Sequence, residues 1–364
     1  MRLLGIILCG LFFTGCGSEV SKTVVSDENA AEQKYHWKLV TTWPKNYPGL
    51  GTAPETFARL VERMSAGRLN IKVFGAGQLV PAMEVFDAVS QGTAQMGHGA
   101  AYYWAGKARG AAFFAAVPFG LNAQEMNSWL HHGGGLELWR ELYAPFNLIP
   151  FAGGNTGVQM AGWFNREINT MDDLAGLKMR IPGLGGDVIT RAGGTSWNIT
   201  GSDIYTAMQT GVIDATEWVG PYNDLAFGLH QVAKYYYYPG WHEPGVMAEL
   251  TVNAQAYVSL PPDLQAIIEV AARAVNQDML DEYTAKNNRA LVELVETHGV
   301  ELRRLPDPVL AELRRLSAQV VTSLAAETEL TRRIAASIDT FKAQAMAYHV
   351  ISEEAYNDAR SAVD

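Results

Sequence analysis

Through the first two-thirds of the chain, short alternating runs of polar and apolar residues take turns with stretches whose apolar positions recur every three or four residues. His36 to Trp43 alternates and predicts a strand. Thr52 to about Ser65 predicts a helix, with Thr52 as N-cap and Pro54 and Glu55 in its first turn. Leu69 to Phe74 alternates again and ends at Gly75, Pro81 to Gln91 is helical, and Gln95 to Ala101 reads as a buried strand. This rhythm predicts an α/β architecture with much parallel sheet. From Pro262 onward the pattern changes. Asp263–Thr297 and Pro308–Val350 read as long helices separated by one strand over Gly299–Leu305. Their arginines, at 303, 304, 314, 315, 332 and 333, are spread among acidic neighbours, the mark of a solvated face. These helices exceed what a compact core needs, and are expected to cross between lobes and to offer a self-association surface.

One internal similarity organises the rest. Glu84-Val-Phe-Asp-Ala-Val-Ser-Gln-Gly-Thr-Ala-Gln-Met matches Asp203-Ile-Tyr-Thr-Ala-Met-Gln-Thr-Gly-Val-Ile-Asp-Ala: an acidic start, two apolar residues, then a shared Ala and a shared Gly. Each copy predicts an amphipathic helix, a glycine C-cap and a strand. Such units are common in α/β proteins, so chance explains the match as readily as duplication. If the chain is two related lobes, Met96–Trp104 and Thr216–Tyr222 fall on the facing rims of one cleft, where open α/β sheets bind ligands.

The first 16 residues hold both cysteines, Cys9 and Cys16, around an apolar run from Leu3 to Phe13 that follows Met1-Arg2. A basic start, a short apolar core and small residues predict a secretory signal over residues 1–15. Phe13-Thr14-Gly15-Cys16 resembles a bacterial lipobox, which would lipidate Cys16 and anchor the mature chain in the periplasm. Residues 16–35 are polar and read as a tether. Beyond them no cysteine remains for a disulfide, a thiolate metal site or a nucleophile. The composition is globular, 48% hydrophobic and 18% charged, with a net charge of −10. An acidic chain without a Lys/Arg run is a poor ligand for nucleic acid or anionic lipid, and no nucleic-acid role is expected.

Catalytic signatures are missing from the sequence: it has no Gly-x-Ser-x-Gly, no His-Glu-x-x-His and no phosphate-binding glycine loop. His131-His132 precedes three glycines and reads as a helix end. The isolated His98, His230 and His242 are expected to satisfy local hydrogen bonds. What does cluster is a set of polar side chains in apolar and aromatic surroundings: Asn155, Gln159, Arg180, Glu217 beside Trp218, and the pair Tyr102-Tyr103. Arg180, among Leu, Met and Ile, cannot be buried without a partner. It either pairs with a carboxylate of the chain, Glu217 being the obvious one, or offers its fork to a ligand carboxylate. In the second case Glu217 and amide oxygens from Gln159 or Asn155 could hold a hard cation such as Na⁺, Ca²⁺ or Mg²⁺.

Several stretches in order resemble the extracytoplasmic solute receptors of tripartite ATP-independent periplasmic (TRAP) transporters, in their 2-oxo-acid and lactate branch. They are Thr41-Thr-Trp-Pro, Phe74-Gly-Ala-Gly-Gln-Leu-Val-Pro, Met96-Gly-His-Gly-Ala-Ala-Tyr-Tyr-Trp, Phe113-Phe-Ala-Ala-Val-Pro-Phe-Gly, Gly157-Val-Gln-Met-Ala-Gly-Trp-Phe, Leu177-Lys-Met-Arg-Ile-Pro-Gly and Glu217-Trp-Val-Gly-Pro-Tyr-Asn-Asp. The resemblance implies a two-lobed periplasmic-binding-protein-like fold with a ligand cleft between lobes, a long interlobe helix and extra C-terminal helices. It implies that Arg180 clamps the substrate carboxylate. Gln159, Glu217 and the Trp218 carbonyl would ligate a Na⁺ or Ca²⁺ bridging to the ligand, with Asn155, Tyr102, Tyr103 and Trp241 completing the pocket. The expected lobes run over 36–155, with about 244–285 returning, and over 156–243, with about 286–306; the region 307–364 carries C-terminal helices that would mediate a homodimer. The expected ligand is a small 2-oxo or 2-hydroxy monocarboxylate, pyruvate- or lactate-like, delivered to a TRAP permease, and no catalysis is expected. Two alternatives stay open on the residues: an exported enzyme using Glu217 and His242 as acid and base, and a lipid-anchored interaction protein in which Arg180 and Glu217 merely pair.

Overall fold

The computed structural model describes residues 33–361, so the expected signal over 1–15 and Cys16 lie outside the described residues. Two sheets build the molecule. The first contains β1 (Tyr35–Thr41), β2 (Leu69–Phe74), β3 (Met96–Ala100), β4 (Leu148–Asn155) and β10 (Met247–Asn253) in the order β2-β1-β3-β10-β4. The second contains β5 (Gly162–Phe164), β6 (Lys178–Arg180), β7 (Thr195–Trp197), β8 (Ala215–Thr216), β9 (Tyr235–Tyr238) and β11 (Glu301–Arg304) in the order β11-β9-β5-β8-β6-β7. Each sheet with its helices forms a lobe.

The alternating runs fold as strands with apolar positions buried: β2 keeps period-two burial, β1 keeps it until Leu39–Thr41, which are all buried, and β3 is buried at every position between two neighbours. The sheets are mixed, with five parallel and four antiparallel strand pairings. β1, β2 and β3 are parallel, whereas β10 lies antiparallel to both β3 and β4. The chain leaves the first lobe at the end of β4 and re-enters it beside the same rim, with Met247 opposite Asn155, so β10 must run back down the sheet. Thr52 does not cap its helix. Gly51 is the N-cap, and Thr52 is the first residue of the helix Thr52–Met64. The two internally similar segments do fold alike. The helices Val85–Ser90 and Gly201–Gln209 end before Gly92 (φ +79°) and Gly211 (φ +71°), and lead into β3 and β8, one in each sheet.

The last third ties the lobes together. A 35-residue helix, Pro262–Glu296, buries Leu264, Ile268, Val275 and Met279 and packs on β4 of the first lobe, then on the short second-lobe helix Pro221–Phe227. The helical stretch expected over Pro308–Val350 divides into two helices, Asp307–Ala325 and Glu329–His349, because Thr328 and Thr331 cap the second reciprocally. Asp307–Ala325 packs on the second-lobe helix Gly183–Arg191, while Glu329–His349 packs on first-lobe helices, where Trp129 Nε1 donates to Ser337 Oγ at 3.0 Å. The pair therefore crosses between lobes. No helix among the described residues is long and apolar enough to cross a membrane.

Glu249 on β10 is a buried carboxyl that accepts hydrogen bonds from Tyr143 (2.7 Å) and from the Trp104 indole. Burial, only partly offset by those bonds, pushes it up to about 7. A carboxyl raised in the folded state binds its proton more tightly there than in the unfolded chain. Its stabilising contribution is therefore complete below about pH 4.5 and is lost as pH rises through about 7. Glu249→Gln should flatten unfolding free energy against pH over that window by on the order of 3 kcal/mol, read by urea denaturation from pH 4.5 to 8. An unchanged slope would show that Glu249 is not the titrating group.

Candidate ligand and cation site

Arg180 ends β6, where it pairs with Thr216 of β8 on one side and Trp197 of β7 on the other. Its backbone carbonyl accepts from the Glu217 amide at 3.1 Å, so the strand register itself places these two residues together. Both side chains are 1% exposed. The Arg180 Nη1 donates to the Glu217 carboxylate and to the Glu217 carbonyl (3.2 Å), Nε to the Ile199 carbonyl (3.1 Å), and Nη2 to the Tyr103 hydroxyl of the first lobe (3.4 Å). The guanidinium also lies 5.1 Å over the Trp218 ring. Desolvation is the largest single influence and works against its charge, but the Glu217 carboxylate, Tyr103, Tyr102 and Glu243 together outweigh it and raise its pKa. Of the two choices open to Arg180 in sequence, the structure contains the pair with Glu217. The pair is not remote from the cleft, because Arg180 itself walls a cavity between the lobes.

The second oxygen, Glu217 Oε2, has no hydrogen-bond partner among the described residues. The same is true of Gln159 Oε1, whose amide nitrogen is committed to Thr156 Oγ1 (3.2 Å), and of Glu243 Oε2. Ligand atoms of Glu217, His242 and Glu243 lie within 4.8 Å of one another, all buried. Burial first, and the charge of Glu217 second, hold the Glu243 carboxyl well above the usual carboxylate range. Gly240 makes this convergence sterically workable: a Cβ there would sit 2.1 Å from the Gln159 carbonyl oxygen. That close approach lets the Gln159 amide donate to the Glu243 carbonyl at 3.2 Å. Buried acceptors without donors cost free energy, and carboxylates near each other repel, so a group of positive charge is what the cluster lacks. The donor set is oxygen-rich and fits a hard cation.

The cavity is lined by Trp43, Leu50, Tyr102 and Tyr103 on one side and by Thr156, Gln159, Arg180, Trp218 and Val219 on the other. Its volume open to the centre of a water molecule is about 10 Å³, room for one water, so the lobes are closed. Tyr102, Tyr103, Gln159, Arg180 and Trp218 thus meet at one place, with Glu217 behind Arg180. Asn155 lies at the end of β4, buried, with Oδ1 accepting from Gly157 N (2.9 Å) and Nδ2 without a partner among the described residues; it does not line the cavity. Trp241 is also absent from the wall and packs on Phe119, with ring centroids 6.0 Å apart.

His98 is satisfied as expected, by the Trp43 indole (2.8 Å) and near the Gly153 carbonyl (3.1 Å), and burial lowers its pKa to about 4. His131 and His132 close the helix Ala123–His132. His242 departs from expectation: neither ring nitrogen has a hydrogen-bond partner among the described residues, and Nε2 lies 3.5 Å from Glu217 Oε2. Its turn brings it into the acidic cluster, beside Glu217 and Glu243. The residue that sequence reasoning missed is Glu243. A carboxylate in Pro239-Gly-Trp-His-Glu-Pro-Gly is open to the same argument from apolar surroundings that singled out Glu217.

The family of bacterial extracellular solute-binding proteins, family 7, matches residues 39–328, and the chain belongs to it. It is an extracytoplasmic solute-binding protein of the TRAP-transporter type, a transport family and not an enzyme family. A monocarboxylate 2-oxoacid-binding periplasmic protein of Nostoc sp. is 40% identical over 94% of this chain and 93% of its own length. A TRAP periplasmic solute-binding protein of Pseudoalteromonas atlantica, solved with bound sodium and pyruvate, superposes with a TM-score of 0.87 at 43% identity, over 90% of this chain and 99% of that one. One from Bordetella bronchiseptica, a mixed-occupancy dimer with copurified calcium and picolinate, gives 0.88 at 35% identity, over 90% and 97%.

Breaking the buried pair from one side leaves an uncompensated charge. Arg180→Ala should destabilise the cation-free protein by about 3–5 kcal/mol, whereas Arg180→Met combined with Glu217→Leu should recover most of that loss. Urea denaturation in the presence of a chelator measures both. A single substitution costing under about 1 kcal/mol would mean that the pair is solvated and not buried.

Proposed function

We propose that the protein captures a small 2-oxo or 2-hydroxy monocarboxylate, pyruvate- or lactate-like, together with Na⁺ or Ca²⁺, and hands it to a TRAP permease. The observation that carries this reading is the convergence of three unpartnered buried oxygens, on Gln159, Glu217 and Glu243, beside the one guanidinium of a closed interlobe cavity. Relatives solved with sodium and pyruvate, or with calcium and picolinate, support it, since both organic ligands carry a second donor atom next to a carboxylate.

Gln159, Glu217, Glu243 and the Trp218 carbonyl would hold the cation, which supplies the positive charge these acceptors lack. The second carboxylate makes the site stronger than Glu217 alone would, and favours a divalent ion. Arg180 would turn its fork from Glu217 to the ligand carboxylate, with the Tyr103 hydroxyl beside it. Trp43, Leu50, Trp218 and Val219 exclude water, which strengthens each charge-assisted bond. Arg180 is the only basic side chain among the described residues that line the cavity, so a dicarboxylate would find no second clamp. The cavity is too small for such ligands while the lobes are closed, so capture requires opening.

Two further readings concern assembly. Anchoring through a lipidated Cys16 would tether the protein to the membrane; it predicts that Cys16→Ser releases the protein into the soluble periplasmic fraction. Met346, Tyr348, Val350, Ile351 and Tyr356 expose apolar surface near the C-terminus, in keeping with a homodimer through the C-terminal helices.

Pyruvate at one hundred times its dissociation constant should stabilise the protein by about 2.7 kcal/mol, with Na⁺ or Ca²⁺ present. Thermal unfolding with and without chelator checks this. Arg180→Ala should abolish the pyruvate shift, and Glu243→Gln should weaken the dependence on Ca²⁺. Absence of any shift with 2-oxo or 2-hydroxy acids under both cations would refute the assignment.

A further inference from the structure

We infer that Tyr47, Asn223 and Tyr283 form a latch that holds the lobes closed and positions Trp218 against the ligand site; the inference rests on the function proposed above. Tyr47 lies in the first lobe, between β1 and the helix Thr52–Met64. Its hydroxyl donates to the Asn223 carbonyl (2.7 Å) and accepts from Trp218 Nε1 (3.0 Å), both second-lobe residues. Asn223 answers in the other direction, with Nδ2 donating to the Pro48 carbonyl at 2.8 Å. The third member comes from the connecting helix: the Tyr283 hydroxyl donates to Asn223 Oδ1. Both polar atoms of the Asn223 side chain are therefore engaged, and the residue is 0% exposed. Gly49, at φ +67°, has no Cβ where the Tyr283 ring would lie 2.5 Å away, so the turn seats directly on that ring.

Three of these hydrogen bonds join one lobe to the other, and separating the lobes breaks all three at once. The Tyr47 ring adds packing on Phe227, with centroids 4.4 Å apart. The consequence for the site runs through Trp218. Its indole N–H is held from the first lobe, its ring lies under the Arg180 guanidinium, and its neighbour Glu217 carries an unpartnered oxygen. The Trp218 side chain of the second-lobe wall thus gains its indole hydrogen bond only when the latch is made. Tyr47 reaches the site only through the Trp218 indole, and neither Tyr47 nor Asn223 lines the cavity, so both are positioning residues.

Tyr47→Phe tests this because it keeps the ring and removes a hydroxyl that both donates and accepts. The expected result is dissociation of pyruvate, with Ca²⁺ present, at least about fivefold faster in stopped flow, the loss that one or two hydrogen bonds produce. The unliganded variant should also show a larger radius of gyration than wild type by small-angle X-ray scattering. Asn223→Ala should move both readouts the same way. A lower melting temperature with dissociation rate and radius unchanged would reduce Tyr47 to a packing role and overturn the latch. If wild type itself fails to respond to pyruvate with either cation, the functional reading falls, while the scattering comparison still decides the latch.

Discussion

A guanidinium that cannot lose its proton, sealed between two lobes, constrains everything around it. Arg180 must be compensated, and the strand register that brings β6 beside β8 puts the Glu217 carboxylate next to it. That pair settles one oxygen of Glu217 and leaves the other facing His242 and Glu243. The excess of acceptors over donors in this corner is a preference for positive charge built into the site. A receptor that must bind an anion through a cation needs this kind of imbalance, because a fully satisfied network would gain nothing from filling the site.

The architecture explains how such a site can also be reached. The walls come from different sheets: Trp43, Tyr102 and Tyr103 from the first lobe, Arg180 and Trp218 from the second. Chain connections cross between the lobes through the ends of β4 and β10, the helix Pro262–Glu296, and the paired helices Asp307–Ala325 and Glu329–His349. Ion pairs such as Arg109–Glu327 and Arg333–Glu141 join the C-terminal helices to the first lobe, but on exposed surface, where each is worth little. Closure therefore depends on buried contacts near the site, among them the Tyr47–Asn223 and Arg180–Tyr103 hydrogen bonds.

The sequence by itself determined the α/β class, the long C-terminal helices and the paired helix–glycine–strand units, since these rest on local periodicity and on glycines at positive φ. The need of Arg180 for a carboxylate was also legible, because no guanidinium among Leu, Met and Ile can be left alone. The antiparallel course of β10, the Gly51 cap in place of Thr52 and the break at Thr328 were decided by tertiary structure. Each depends on where the chain enters or leaves an element, which periodicity does not encode. Glu243, His242 and Tyr47 belong to the same class. Residues 217 and 243 are neighbours where Gly240 admits the Gln159 backbone, whose amide donates to the Glu243 carbonyl. Tyr47 meets Asn223, 176 positions away, only because two lobes close on each other. Long-range proximity of charges and hydroxyls is a property of packing, and only the folded chain possesses it.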